Sequence, residues 1–319
     1  MRHSPAPKVA RDSWAFVSRS GFETALSMRA AGVDKALDER LGGGAEARLA
    51  DAMRHALLAG GKRLRPFVLL TAAGLFGVDD ARAMPAACAL ECVHAFSLVH
   101  DDLPALDDDD LRRGRPTVHR AFDEATAVLA GDALLTIAFE ILADETTHPA
   151  PHVRAELVTA LARAVGPLGM IGGQMRDLAA EGRFVAGGKP LVLDEADTLT
   201  LQEMKTAALF RFAAEAGAIL GEAGADDRAR MRGFGRALGL AFQIADDLLD
   251  EEASPEELGK ATAKDRARGK ATLIAALGPE GARRKLNGLV AEAIASLEVY
   301  GDRAELLTAA ASFAATRRR

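Results

Sequence analysis

Two aspartate-rich segments constrain this chain more than any other feature. They read HDDLPALDDDD at residues 100–110 and ADDLLD at residues 245–250, and much of the sequence between them is apolar and favours helices. Mg²⁺ prefers hard oxygen ligands and is usually held by one or two carboxylates together with the phosphates of a substrate. Carboxylate pairs on two separate elements therefore predict two walls of one Mg²⁺-diphosphate cavity.

Composition favours packed helices in one domain. Of the 319 residues 49% are apolar, mostly Ala and Leu, whereas only 5% are aromatic. Such a mixture is typical of helices rather than sheets, and no linker divides the chain into two cores. We predict an all-α fold, a single large helical bundle around a central cavity, over residues 26–319. Residues 1–25 are expected to be a loosely ordered extension.

Charge and apolar runs exclude several classes of protein. The net charge of −6 argues against nucleic-acid binding, whereas cations clustered at residues 62–65 and 112–115 suit small anionic ligands. No uninterrupted apolar run approaches the ~18 residues of a membrane span, and no signal peptide is readable. Cys88 and Cys92 are expected to be buried free thiols in the cytoplasm, because two cysteines supply neither a disulfide framework nor a set of metal ligands.

Apolar periodicity predicts helices that carry both acidic segments. One helix covers about residues 84–102 and ends just before Pro104, because proline disfavours helix in the residue that precedes it. Another covers about residues 232–249 and places Asp246 and Asp250, four residues apart, on the same face.

A further helix is predicted to begin near Thr200. Thr200 and Glu203 form a capping-box pattern, and Gly221 supplies the stop after an apolar stripe. The final connection between helices is long for a compact helical domain, and such loops are often functional lids or disordered. The connections are expected at residues 144–151, 181–190, 221–227 and 251–270.

The first acidic segment has the pattern DDxxxxD. Asp101 and Asp102 end one helix, and Pro104 breaks its last turn, so that Asp107 can fold back towards them. Adjacent aspartates at a half-buried helix end repel each other unless a cation offsets their charge. Residues 108–110 are interpreted instead as a solvated acidic loop.

The second acidic segment is weak evidence alone, since Asp246, Asp247 and Asp250 form a DDxxD pattern that also occurs on solvated helix faces. The two segments together, each at the end of an apolar helix, are much stronger. The segment GGKRLRP at residues 60–66 adds Lys62 as a point charge and Arg65 as a planar fork that matches phosphate oxygens. Taken alone, that segment is equally compatible with a basic helix start after a flexible entry.

In this order the motifs resemble the trans-isoprenyl diphosphate synthases, the polyprenyl synthetase family that includes farnesyl and geranylgeranyl diphosphate synthases. The resemblance covers about residue 45 to the C-terminus and implies the all-α isoprenoid synthase fold, isoprenyl diphosphate substrates and a homodimer. The matching segments are GGKRLRP from residue 60, ECVHAFSLVHDDLPALDDDDLRRGRPT from 91, GGQMRD from 172, KT at 205, FQIADDLLD from 242 and LGKATAKDRARGKAT from 258.

The resemblance also implies a role for each matching residue. Mg²⁺, expected as three ions with diphosphate bound, is held by Asp101, Asp102, Asp107, Asp246, Asp247 and Asp250. Isopentenyl diphosphate is bound by Gly61, Lys62, Arg65, His94 and Arg113. The allylic diphosphate is bound by Arg112, Lys205, Thr206, Gln243, Lys260 and Lys270. The catalytic positions are Lys205, Thr206 and Gln243.

The chain departs from the family pattern at two positions. Ala207 stands where Gly frequently follows the Lys-Thr pair, and Met204 stands where His often precedes it. Neither change removes a charge or a metal ligand. They put in doubt the local packing near the reacting cation, but not the class of reaction.

Product length is predicted from the residues one helical turn before Asp101. Phe96 and Ser97 are expected to lie near the cavity floor. A large aromatic at this position, with two extra residues inside the first motif, resembles bacterial farnesyl synthases. The resemblance therefore implies condensation of isopentenyl diphosphate with dimethylallyl or geranyl diphosphate to a fifteen-carbon product.

Three alternatives remain open at this stage. A geranylgeranyl diphosphate synthase would differ only in product length. A class I terpene cyclase would also ionise an allylic diphosphate with Mg²⁺, but it would leave Lys62, Arg65 and His94 unused. An acidic helical module that binds Ca²⁺ is the non-enzymatic reading, although the chain lacks the loop of an EF-hand.

Overall fold

The computed structural model describes residues 19–41, 45–252 and 271–316, which form a bundle of helices with one short hairpin. The predicted all-α architecture is confirmed. The helices are α1 (Arg19–Arg40), α2 (Ala47–Leu57), α3 (Leu64–Leu75), α4 (Asp80–Asp101), α5 (Val118–Ala121), α6 (Glu124–Ala143), α7 (Pro151–Val165), α8 (Met170–Ala180), α9 (Glu195–Gln202), α10 (Ala208–Leu220), α11 (Ala225–Glu252), α12 (Leu273–Ala295) and α13 (Glu305–Thr316). A π-helical turn covers Glu203–Ala207, a 3₁₀ helix covers Glu298–Ala304, and the strands are β1 (Leu111–Arg112) and β2 (Arg115–Pro116).

The centre of the bundle is built from α3, α4, α10 and α11. Helix α10 packs against α3, α7 and α11, and α4 packs against α3 and α6. The bulkiest fully buried side chains come from three of these central helices, and each contributes roughly 1.5–3 kcal/mol by leaving water. They are Phe67 of α3, Phe210 and Phe212 of α10, and Phe234 of α11.

The two helices predicted to carry the aspartates are confirmed, but both are longer than expected. Helix α4 begins at Asp80, because the Asp79 carboxylate accepts a hydrogen bond from the Arg82 amide and caps its N-terminus. Helix α11 extends the predicted range at both ends, from Ala225 to Glu252. Periodicity located the apolar centre of each helix, whereas the polar end turns carry no such signal.

The predicted capping box at Thr200 is wrong. The helix begins at Glu195, where the Asp194 carboxylate accepts from the Asp197 amide, and the Thr200 hydroxyl donates to the Ala196 carbonyl inside the helix. Thr200 therefore lies in the middle of α9. The predicted stop is confirmed, since Gly221 follows the last residue of α10.

A two-residue turn joins β1 to β2, an element that the sequence analysis did not predict. Leu111 pairs with Pro116 and Arg112 with Arg115 in antiparallel register. Arg113 and Gly114 both have positive φ, at 52° and 74°, as a tight hairpin turn requires. This turn lets Arg112 and Arg113 contact different surroundings although they are adjacent.

Residues 19–25 of the expected N-terminal extension lie in α1, and Phe22 is buried in the core. Three stretches of the described chain are long and apolar enough to cross a membrane, by length and composition only, namely Asp80–Asp101, Glu124–Ala143 and Pro151–Ala180. The sequence prediction did not find these stretches, because it considered only uninterrupted apolar runs. In the first of them, 72% of the apolar window is buried inside the bundle.

Arg63 connects α3 to α1 and α4 from a buried position. Its backbone is left-handed, with φ of 49°, and its guanidinium donates to Asp34 at 2.7 Å, to Glu91 at 2.5 Å and to the Leu57 carbonyl. The side chains of Arg63 and Glu91 are 2% and 3% exposed. Buried charges are tolerated when they are paired and hydrogen-bonded in this way. The charge of Arg63 is therefore used within the fold.

We expect Arg63→Met to lower the free energy of unfolding by about 3–5 kcal/mol, because Glu91 would remain as an uncompensated buried charge. The double variant R63M/E91L should recover most of that loss. Arg54→Met is the matched control, since Arg54 forms an exposed pair with Asp38 that is worth at most about 1 kcal/mol. Urea unfolding measures all three variants, and equal losses for Arg63→Met and Arg54→Met would contradict the assignment.

Candidate active site

The predicted site residues surround one large cavity of about 1030 Å³ among the central helices. The lining includes one aspartate from each acidic motif, Asp101 at the end of α4 and Asp246 on α11. Further predicted residues lining the cavity are Gly61, Lys62, Arg65, His94, Phe96, Ser97, Arg113, Lys205, Thr206 and Gln243. Helices far apart in sequence thus bring both acidic and basic groups to the same space.

The loop after α4 folds back as the broken last turn predicts. The Asp107 amide donates to the Asp101 carbonyl at 2.8 Å, and the Asp109 amide donates to the Asp102 carbonyl at 3.2 Å. Burial raises the pKa of Asp101, Lys205 opposes the shift and the nearby Asp107 carboxylate adds to it, with a net value of about 6. Asp101 therefore lies where additional positive charge would stabilise its ionised form.

Asp102 is held differently from Asp101. Its side chain is 4% exposed and accepts from Arg112 at 2.6 Å, and Arg112 also contacts Asp109 at 3.5 Å. Asp102 and Arg112 line a separate small pocket beside the hairpin. Asp110 pairs with Arg120 at 2.7 Å. Residues 108–110 were expected to be a solvated loop, but two of their carboxylates, Asp109 and Asp110, form ion pairs.

The second acidic motif is fixed by amide side chains. Asp247 accepts from Gln243 and from Gln202, each at 2.9 Å, and the Thr206 hydroxyl donates to Gln243 Oε1 at 2.7 Å. Burial and the charge of Asp246 raise the pKa of Asp247, the two amide donors oppose the shift, and the net value is about 6. These hydrogen bonds orient the predicted pair Thr206 and Gln243 towards each other at the cavity wall.

Lys205 lies on the π-helical turn and pairs with Asp177 of α8 at 2.5 Å. Burial works against its charged form, but the carboxylates of Asp177 and Asp101 outweigh that effect, so the pKa of Lys205 lies above its ordinary value. π-helical turns within α-helices are frequent at functional sites. A Cβ at Gly173 would overlap the Lys205 backbone, so α8 needs glycine there to approach this turn.

The departure at Ala207 is accommodated within this packing. Ala207 is 1% exposed and ends the π-helical turn. Gly239 of α11 lies directly against it, and a Cβ on Gly239 would overlap the Ala207 side chain and Cα. The methyl group of Ala207 therefore occupies space that the glycine on the neighbouring helix leaves.

A basic group forms another part of the cavity wall. The Arg65 guanidinium lies 4.5 Å from the ring centroid of Phe210 and 3.4 Å from His94 Nε2. Burial lowers the pKa of His94 well below its usual value, and Arg65 and Arg113 lower it further, so the imidazole is neutral. The guanidinium of Arg113 donates to the Gly60 carbonyl across the glycine pair. This wall presents fixed cations beside one neutral imidazole.

The apolar part of the cavity contains both residues predicted to set product length. Phe96 is 6% exposed, and its ring packs edge-to-face on His100 with centroids 5.0 Å apart. Ser97 donates to the His94 carbonyl at 2.9 Å. Leu135 of α6 lines the same cavity, so its apolar part is shared between α4 and α6.

Some predicted residues cannot be placed, and some residues of the site were not predicted. Lys260 and Lys270 lie outside the described residues, and so do residues 317–319. No role was predicted for Asp177, Gln202 or His100. Asp177 ends the matched segment GGQMRD, which was a signal for it, whereas nothing in the sequence indicated that Gln202 would reach Asp247.

The donor set fits a metal ion that is bound together with a ligand. Within the described ranges, no three His, Cys, Asp or Glu side chains form a cluster that could hold a metal ion by themselves. Mg²⁺ retains water and phosphate oxygens as ligands and needs only one or two carboxylates. Asp101 and Asp246, partly desolvated carboxylates of different helices that line one cavity, satisfy that requirement.

We expect metal-free Asp101→Asn to be more stable than the wild type at pH 8, because the carboxylate pKa of about 6 lies above its ordinary 3.8. A raised pKa means that the folded state prefers the proton, so the wild type loses stability as pH rises through 6, by at most about 3 kcal/mol. Below pH 3.8 the difference should vanish. Thermal melting in chelator from pH 3.5 to 8 measures it, with the exposed Asp51→Asn as control, and equal stability at pH 8 would contradict it.

The sequence and the fold both match known proteins. The profile of the family described as "Polyprenyl synthetase" matches residues 46–300. A farnesyl diphosphate synthase of Geobacillus stearothermophilus is 45% identical over 250 residues, 78% of this chain and 80% of that protein. A chloroplastic geranylgeranyl pyrophosphate synthase of Catharanthus roseus is 40% identical over 307 residues, 95% of this chain and 84% of that protein.

A solved structure gives the same result. The apo crystal structure of an FPP/GFPP synthase from Zymomonas mobilis superposes with a TM-score of 0.83 at 45% identity. The superposition covers 93% of this chain and 99% of that one. Since the family profile spans most of the chain and these relatives align over most of their own length, the chain belongs to the polyprenyl synthetase family.

Proposed function

We propose that this chain condenses isopentenyl diphosphate with an allylic diphosphate and releases farnesyl diphosphate as its main product. One observation carries the proposal. A single cavity receives aspartates of both acidic motifs and also the basic group Lys62, Arg65 and Arg113. An elongating enzyme needs sites for two diphosphates, whereas a terpene cyclase needs only one, so the second set of cations favours elongation.

The acidic walls are proposed to bind the allylic diphosphate. Mg²⁺, as three ions with diphosphate bound, would be held by Asp101, Asp102, Asp107, Asp246, Asp247 and Asp250. The side-chain partners of Asp102 and Asp247 orient these motifs. Mg²⁺ supplies fixed positive charge against the departing diphosphate when it is bound there.

Lys205 and Arg112 add cationic side chains for the same diphosphate, and they are the described members of a set that also includes Lys260 and Lys270. Asp177 and Asp102 hold these two charges in place. Such preorganised charge contributes more in a dry cavity than in water.

Thr206 and Gln243 are suited to shield the allylic cation. Because the Thr206 hydroxyl donates its proton to Gln243 Oε1, its oxygen lone pairs remain available to a positive charge in the cavity. Gln243 is in turn held by Asp247 at 2.9 Å. Both side chains line the cavity, so their oriented oxygen dipoles would face the reacting carbon without forming a covalent bond to it.

The basic wall is proposed to bind isopentenyl diphosphate. Lys62 Nζ lies 5.3 Å from the Phe313 ring centroid, and Arg65 lies over Phe210, so aromatic faces position both cations. A neutral His94 adds hydrogen bonding without further charge. The allylic C–O bond breaks to give diphosphate and an allylic cation, and the isopentenyl double bond attacks that cation. The condensed carbocation then loses a proton to the released diphosphate.

Labelled isopentenyl diphosphate with geranyl diphosphate and Mg²⁺ tests this function. We expect incorporation of the label by the wild type, and a loss of turnover by orders of magnitude in Asp101→Ala and Asp246→Ala with the fold retained. Each variant removes a ligand that acts mainly in the transition state. A cyclised product without label would identify a terpene cyclase. Near-normal turnover in either variant would contradict the assigned roles.

Product length is expected to depend on Phe96. Phe96→Ala should open the apolar end of the cavity and shift the product from fifteen carbons towards twenty or more. Chromatography of the dephosphorylated products measures the shift, with Phe76→Ala, a half-buried aromatic of the α3–α4 connection, as control. An unchanged product profile would remove Phe96 from this role, and a wild-type product of twenty carbons would identify a geranylgeranyl diphosphate synthase.

The enzyme is further proposed to act in the cytoplasm as a homodimer without a membrane span. Exposed apolar side chains on α6, Val128 and Leu129, support an interface there. Sedimentation equilibrium of the detergent-free protein should give twice the chain mass. A monomer mass would contradict the dimer.

A further inference from the structure

His100 is an aromatic neighbour of Phe96 that the proposed function leaves without a role. The two residues are four apart on α4 and therefore share a face of that helix. Their rings meet edge-to-face at 5.0 Å and 77°, and both side chains line the large cavity. The position of Phe96 in the cavity wall thus depends on where the His100 ring lies.

Helix α6 holds the other side of the His100 ring. His100 Nε2 donates to the Val128 carbonyl at 3.1 Å, and its ring lies 4.0 Å from the Asp132 carboxylate. Between these contacts the ring lies on Gly131, and a Cβ built at Gly131 would overlap Nε2 and Cδ2 of the ring. The imidazole therefore occupies the volume that any other residue at 131 would need.

We propose that Gly131 is a specificity-determining position that sets the depth of the hydrocarbon end of the cavity. It acts indirectly, by seating His100 against α6, and His100 in turn seats Phe96. A side chain at residue 131 would displace the His100 imidazole rather than the α6 backbone that carries it. Phe96 would then move into the cavity together with the imidazole. Gly131 would thereby limit the length of the allylic chain that fits in the cavity. The inference therefore rests on the proposed condensation activity.

The direction of each substitution follows from this geometry. Gly131→Ala narrows the cavity, so growth should stop earlier, and the ratio of ten-carbon to fifteen-carbon product should rise about tenfold, an effect typical of overpacked sites. His100→Ala removes the ring that supports Phe96, so the product should become longer. In the double variant H100A/G131A the methyl group has no ring to displace, and the effect of Gly131→Ala should disappear.

Product analysis with dimethylallyl diphosphate and labelled isopentenyl diphosphate tests the proposal on the full chain with Mg²⁺. Gly288→Ala is the matched control, since Gly288 is also helical and nothing lies within 4 Å of its added Cβ. We expect shorter product from Gly131→Ala, longer product from His100→Ala, and an unchanged profile from the control. Thermal melting of every variant separates altered specificity from loss of fold.

Several outcomes would overturn the proposal. Gly131→Ala with full activity and the wild-type product distribution would do so, as would equal shortening by Gly131→Ala in the His100→Ala background. If Gly131→Ala does not fold, His100→Ala alone decides, and its unchanged product would refute the proposal. Absence of any labelled product from the wild type would instead overturn the proposed function, and this inference with it.

Discussion

Confinement of like charges in a partly dehydrated cavity is the constraint on which the rest of the site depends. Asp101 lines the cavity, and Asp247 is hydrogen-bonded to the lining residue Gln243. Burial and neighbouring carboxylates raise the pKa of each to about 6. Contacts within the chain do not by themselves make such a group of neighbouring, buried carboxylates favourable. The arrangement becomes favourable when a multivalent cation and an anionic ligand are bound together. The proposed reaction therefore accounts for carboxylates whose ionised forms are unfavourable in the protein alone.

The surrounding structure keeps these charges in place through fixed side-chain partners. Lys205 is paired with Asp177, Arg112 with Asp102, and the second motif with side-chain amides. Each contact fixes a group at the cavity edge without neutralising the aspartates that face the interior. Preorganisation of this kind lowers the reorganisation needed when diphosphate leaves, and strained or charged active sites commonly reduce stability in this way.

The sequence predicted the parts of the fold and site that local pattern determines. Apolar periodicity located α4 and α11, and Pro104 explained why Asp107 returns to the end of α4. Polar ends of helices were misjudged, as at Thr200, because capping patterns also occur inside helices. The family resemblance predicted which residues bind the allylic diphosphate and which bind isopentenyl diphosphate.

Contacts between distant residues were beyond sequence analysis. The pairing of Lys205 with Asp177 and the seat of His100 on Gly131 depend on how α8 and α6 pack against their neighbours. Glycines permit that packing, but the role of a particular glycine can be recognised only when the residues packed against it are known. The buried pair Arg63 and Glu91 shows the same limit, since Arg63 stood among cations expected to face an anionic ligand.

Joint binding of Mg²⁺ and inorganic diphosphate is the most direct test of the central claim that both acidic motifs act on one ligand. Thermal melting should show a small shift with either component alone and a much larger shift with both, by mass action on the folded state. The additional shift should be lost in Asp101→Asn and equally in Asp246→Asn. A full shift with Mg²⁺ alone, or one that survives in either variant, would contradict the account.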